Sequence, residues 1–80
     1  MAPELQKYYE ESFSMFASKG WTYLLEDLQK IKDNTNNLSL VLDAHDLYFR
    51  KGQLDILELI LTRKDAFDKA YKELEDETDL

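Results

Sequence analysis

Apolar residues recur along this chain at steps of three and four, the spacing of a helix that buries one face. Leu5, Tyr8 or Tyr9, Phe13 and Phe16 begin the pattern. Pro3 precedes them and suits a helix's first turn, where the N–H it lacks would have no intrahelical acceptor. Ser18, Lys19 and Gly20 interrupt the stripe, which predicts a short helix over roughly 4–17, closed by a turn at Gly20.

A longer stripe follows in Trp21, Leu24, Leu25, Leu28, Ile31, Thr35, Leu38 and Leu42. Its repeat lies close to the roughly 3.5 residues of helices packed along their length. Glu26, Asp27, Lys30, Lys32 and Asp33 fall mostly off it, so one long helix is predicted. The run DNTNN at 33–37 has poor helix propensity and can cap, fray or bend the last turns, near 34–41. Strict alternation is missing, which argues against a strand.

Asp43 can cap a third helix, with Asp46 favouring the free N–H groups of its first turn. Leu47, Leu54, Leu57, Ile60 and Leu61 form its apolar face, widened by Phe49 and Ile56. Gly52 inside this helix costs up to about 1 kcal/mol relative to alanine, so it is either tolerated or permits a close helix crossing. Thr62 and Asp65 resemble a fresh cap before Phe67, Ala70, Tyr71 and Leu74. The alternative, one continuous helix over 43–76, would be about 50 Å long.

The predicted fold class is all-α: an antiparallel helical hairpin with short flanking helices, forming a single domain over 1–80. Its core seam is expected in Trp21, Leu24, Leu28, Ile31, Leu54, Leu57 and Leu61. A hairpin buries one seam, and these faces are wider, so oligomerisation as well as the flanking helices is expected to complete the fold. Size strengthens that expectation. A compact chain of 80 residues leaves about 5,000 Å² exposed, and burial on that scale offsets chain entropy only narrowly.

Charge divides the chain unevenly. Seventeen acids against ten bases give a net −7, which disfavours direct nucleic-acid binding. Residues 73–80, ELEDETDL, carry five of the acids and no base. This end, taken as frayed from 75, reads first as a solubilising terminus and alternatively as a contact for a basic partner. No apolar run approaches the roughly 20 residues of a membrane span. The opening residues, acidic and polar, do not resemble a secretory signal.

Candidate chemistry is sparse. There is no cysteine, hence no disulfide, thiol nucleophile or thiolate ligand. Asp43, His45 and Asp46 lie at helical offsets that do not converge on one ion. Paired acids such as Asp55 with Glu58 fall on polar faces, whereas general acid catalysis needs a desolvated carboxylate with a partner held opposite it. No catalytic, metal or cofactor site is expected, and the chain reads as a non-enzyme.

Candidate contacts lie elsewhere. Arg50, Lys51 and Gln53 surround Gly52, with i,i+4 pairing expected for Asp46–Arg50, Lys51–Asp55 and Lys64–Asp68. Among ten aromatic residues, Tyr9, Tyr23 and Tyr48 fall between stripes and suit a partner surface. The expected interface residues are Tyr23, Tyr48, Arg50, Gly52 and Gln53.

Phe16, Gly20-Trp21, the leucine-striped acidic helix, the run Leu47-Tyr48-Phe49-Arg50-Lys51-Gly52-Gln53-Leu54-Asp55 and Ala70-Tyr71-Lys72-Glu73-Leu74 together resemble short helical proteins of tailed bacteriophages. The resemblance covers Phe16 to Leu74. It implies a minor structural or assembly component, or a small factor acting on the host, located in the virion or host cytoplasm. The first expectation is therefore an assembly component that binds itself or a larger phage or host protein. The second is an inhibitor or adaptor that engages a host enzyme with its acidic end. The resemblance implies a Leu-Pro break just before the last helix. Here Thr62-Arg63-Lys64 stands in its place, which leaves one or two helices open over 43–76.

Overall fold

The computed structural model describes residues 1–78. They form four α-helices, α1 (Pro3–Phe16), α2 (Lys19–Thr35), α3 (Ala44–Leu61) and α4 (Arg63–Thr78), with a 3-10 turn at Leu38–Leu40 between α2 and α3. The fold is all-α, with no strand among the described residues.

Side chains at the joints decide where each helix stops. Ser18 ends α1 and starts α2: its Oγ donates to the Met15 carbonyl (2.6 Å) and accepts the Trp21 N–H (3.2 Å). A hydroxyl that can do both makes Ser18 the cap. Gly20, expected as the turn, lies instead inside the first turn of α2, and no glycine has positive φ.

α2 stops at Thr35, short of the stripe's end. Asn37 Oδ1 accepts from Ser39 N–H and Oγ, at 3.0 and 2.6 Å, and so holds the 3-10 turn. Such local bonds compete with helical ones. Leu38 and Leu42, predicted to extend the stripe, are 77% and 87% exposed as a result.

Asp43 caps α3, accepting the Asp46 N–H at 2.8 Å, while the Asp46 carboxylate reaches back to the Leu42 N–H at 3.0 Å. Asp46 thus reaches one residue beyond the cap, where a capping box would return to the cap's own N–H. The 43–76 segment forms two helices rather than one, parted at Thr62 (φ −103°, ψ 10°). The Thr62 hydroxyl donates backwards to the Glu58 carbonyl at 2.7 Å, so it closes α3 and does not cap α4. The acidic end is helical as far as Thr78; its last two residues lie outside the described ones.

The best-buried core is aromatic and lies between α1 and α4. Tyr9 is 9% exposed, with its ring 5.3 Å from Tyr71 and 5.6 Å from Phe67. Phe16, 5% exposed, meets Phe67 at 5.3 Å and Trp21 at 5.0 Å. Tyr9, Phe13 and Phe16 are spaced by four and three and share one helical face, which corrects the expectation that Tyr9 meets a partner. Gln6 Nε2 donates to the Tyr71 hydroxyl at 3.1 Å beside this cluster.

α2 packs on α3, α1 on α2, and α3 on α4, besides the α1–α4 pairing. In the seam between α2 and α3, Leu57 is buried and Leu28, Leu54 and Leu61 are half-buried, as is Trp21 at its α1 end. Leu24 and Ile31, expected in that seam, are 45% and 52% exposed. They sit on the edge of α2's stripe, and α3 covers only its centre.

The molecule is long and thin, 53 × 27 × 16 Å, with a radius of gyration of 17.0 Å against about 12 Å for a compact chain of this length. Its accessible surface is 6332 Å², which exceeds the compact expectation by roughly 1,300 Å². Much of what the sequence marks as apolar is therefore open.

Candidate functional site

The clearest built feature is a clamp at the α2–α3 connection. Arg50 Nε donates to Asp46 Oδ2 at 2.9 Å, and its terminal nitrogens donate to the carbonyls of Thr35 and Leu40, both at 3.3 Å. A planar guanidinium can bind a carboxylate and two carbonyls at once, which an ammonium cannot do from one position. Arg50 thus ties the end of α2, the 3-10 turn and the first turn of α3 together. The Leu42 N–H first, and Arg50 second, hold the Asp46 carboxyl below its ordinary value of 3.8. Thr35, in contact with this clamp, is buried.

Beside the clamp, α2 and α3 enclose an open groove of about 570 Å³, lined chiefly by Ile31, Tyr48, Phe49, Gly52, Gln53 and Ile56. Its walls stand in solvent: Tyr48 is 72% exposed, Phe49 66%, Ile56 58% and Ile31 52%. Phe49, Gly52, Ile56 and Leu59 follow steps of three, four and three. At about 100° per residue they border the face of Leu54, Leu57 and Leu61: Phe49 lies about 80° from Leu57, and Leu59 lies on the far side. α3 therefore carries one wide apolar arc, part of it turned to α2 and part of it outward.

Gly52 occupies the middle of the outward stripe. A Cβ added there would meet nothing within 4 Å, so the glycine serves no close crossing within the chain. Tyr48 and Gln53 flank it on the groove. Tyr23, also expected at an interface, is 62% exposed on α2. Arg50, placed with these residues by its sequence position, is engaged inside the chain.

Ion pairs sort the remaining charges. Lys32 reaches across to Glu58 at 2.8 Å, and Lys64 pairs with Asp68 at 2.9 Å. The second contact raises the Lys64 pKa above its ordinary value. Lys51 and Asp55 do not form the expected pair; the ion pairs among the described residues join Lys7–Glu11, Lys32–Glu58, Asp46–Arg50 and Lys64–Asp68.

Phe49, Ile56 and Leu59 are the surface residues that the sequence reading missed. Phe49 and Ile56 were counted as widening the inner face of α3. A helical projection does place them beside that face, next to Ile60 and Leu57; what differs is that α2 leaves them 66% and 58% exposed.

Among the described residues no cluster of three or more acids or histidines is arranged to hold a metal, and His45 is exposed. No helix among them is long and apolar enough to cross a membrane. Comparison with protein-family models, curated proteins and solved structures gave no match.

Proposed function

We propose that this chain is a non-enzymatic helical interaction protein, a minor structural or assembly component whose outward α3 face is covered by another polypeptide. The observation that carries this reading is the exposed outward part of the apolar arc of α3, with Tyr48, Phe49, Ile56 and Leu59 all at least half exposed. Fully covering a large apolar side chain contributes about 1.5–3 kcal/mol. At half to three-quarters exposure, Tyr48, Phe49, Ile56, Leu59 and Ile31 each retain roughly 1 kcal/mol of that gain for a partner. A tailed-phage setting is part of the proposal and rests on the sequence resemblance over Phe16–Leu74.

The packing supports a finer description. Arg50 meets Thr35, and Glu58 meets Lys32 one helical turn back along α2. Tyr71 meets Gln6 and Phe67 meets Phe16 in the same opposed order. We read these as a long antiparallel hairpin, with α1–α2 as one arm and α3–α4 as the other. Helical arms of about 33 residues are roughly 50 Å long, consistent with the 53 Å length of the molecule. An arm pair of this kind leaves one side of each helix open.

The test is affinity capture from infected cells beside mass analysis of purified particles, using wild type and an Ile31→Asp/Ile56→Asp variant of unchanged helix content. The proposal expects the wild-type chain at fixed stoichiometry in a complex or particle, and the variant free. A chain that stays free throughout infection refutes it.

A further inference from the structure

We infer that the occupant of the outward α3 face is a second copy of this chain, its α3 crossing the first antiparallel at Gly52. The inference rests on the interaction role proposed above and names the partner and the geometry.

Three observations converge on it. The first is area. One chain exposes roughly 1,300 Å² more than a compact chain of its mass, and a standard interface covers about 800 Å² per partner. The excess surface of the whole chain is thus comparable with what one standard interface covers.

The second is the glycine. In mid-helix it costs about 1 kcal/mol relative to alanine, and nothing within the chain approaches it. It interrupts an outward stripe otherwise made of Phe49, Ile56 and Leu59. A missing side chain at that point lets two helix backbones come close, and the large residues on either side then interdigitate. With a two-fold axis between positions 52 and 53, Phe49 of each copy meets Ile56 of the other.

The third is charge. Although the chain carries a net −7, five of its acids fall in residues 73–80, and α3 is close to neutral. Asp46 is matched by Arg50 and Glu58 by Lys32. Lys51 and Asp55 then remain without an ion-pair partner among the described residues, opposite in sign and one turn apart. The same axis sets Lys51 of each copy within one residue of the level of Asp55 of the other, so the pair can form twice. Self-complementarity of this kind is what an isologous interface requires.

Sedimentation equilibrium of the purified full chain, from micromolar to sub-millimolar, provides the test. The mass should rise with concentration from 9.5 kDa toward twice that value. Gly52→Leu and Ile56→Asp should each weaken association by about tenfold or more, since each change enters the dimer twice. Lys51→Asp should weaken it as well, and adding Asp55→Lys to that variant should restore it. Circular dichroism of each variant at the lowest concentration separates a lost interface from a lost fold.

A mass fixed at 9.5 kDa over the whole range overturns the inference, as does a dimer indifferent to all three single substitutions. If the pure chain is monomeric yet Ile56→Asp releases a different stoichiometric partner, the second copy is wrong and the interaction role stands. If neither association exists, both fail.

Discussion

Replacing Gly52 by alanine sets two effects against each other, and concentration decides which is seen. Within one chain the new methyl group meets nothing within 4 Å. Helix propensity alone then acts, stabilising α3 by up to about 1 kcal/mol. For a domain of this size that corresponds to a melting temperature higher by about 4–8 °C. At a crossing point the same methyl holds two backbones apart, so the stabilisation that association lends the wild type should shrink. Thermal melts followed by circular dichroism across a wide concentration range resolve the two. At the lowest concentration the variant should melt above wild type. As concentration rises, the wild-type midpoint should climb and overtake that of the variant. A variant that melts below wild type even at the lowest concentration would refute the open placement of Gly52.

Phe16→Ala removes the best-buried ring of the aromatic cluster and should cost about 3–5 kcal/mol. This is comparable with the stability of a small domain, so loss of the cooperative urea transition is expected; a midpoint within error of wild type would contradict the assigned core. Asp46 has its pKa depressed in the folded chain, so its contribution is present above the ordinary value and is lost as pH falls through the lowered one. The melting temperature of wild type should therefore exceed that of Asp46→Asn near neutral pH, with the gap closing below 3.8. A gap that does not change with pH would remove the carboxylate from the clamp. Trp21→Phe deletes an enclosed indole N–H that has no hydrogen-bond partner among the described residues. Because an unmade buried bond costs about 1–3 kcal/mol, relief of it should offset the ring volume lost beside Phe16, so the urea midpoint should hold; a fall of the full size expected for a large-to-small core change would count against the unmade bond.

Local chemistry made much of the fold legible in the sequence. Asp43 capping α3, Asp46 in its first turn and the Asp46–Arg50 pair follow from residue type and spacing, because each contact spans four residues or fewer. Misreadings arose where two local signals competed. Ser18 and Gly20 both punctuate the chain between α1 and α2, and the hydroxyl's two hydrogen bonds prevailed over the glycine's freedom. At 33–37 the asparagines overrode an apolar period that continued past them.

The surface was harder to read for a different reason. Tyr9 fell between stripes until α4 supplied Phe67 and Tyr71 on the far side of α1, a contact more than fifty residues away in sequence. Phe49 and Ile56 carried the opposite difficulty. Their apolar character marked them for burial, while only the arrangement of α2 shows that this burial is not provided within the chain. The same holds for Arg50, whose hydrogen-bond partners at Thr35 and Leu40 depend on how the connection turns.

Since the chain contains no cysteine, one introduced thiol reports directly on what covers α3. Gln53→Cys places it beside the predicted two-fold axis, and Ser14→Cys places it on exposed α1 as a control. Under mild oxidation the account predicts that the position-53 chain forms a covalent homodimer rapidly, with its helix content unchanged, while the position-14 chain lags far behind. Equal rates at the two positions, or no cross-link at position 53, would contradict an interface centred on Gly52.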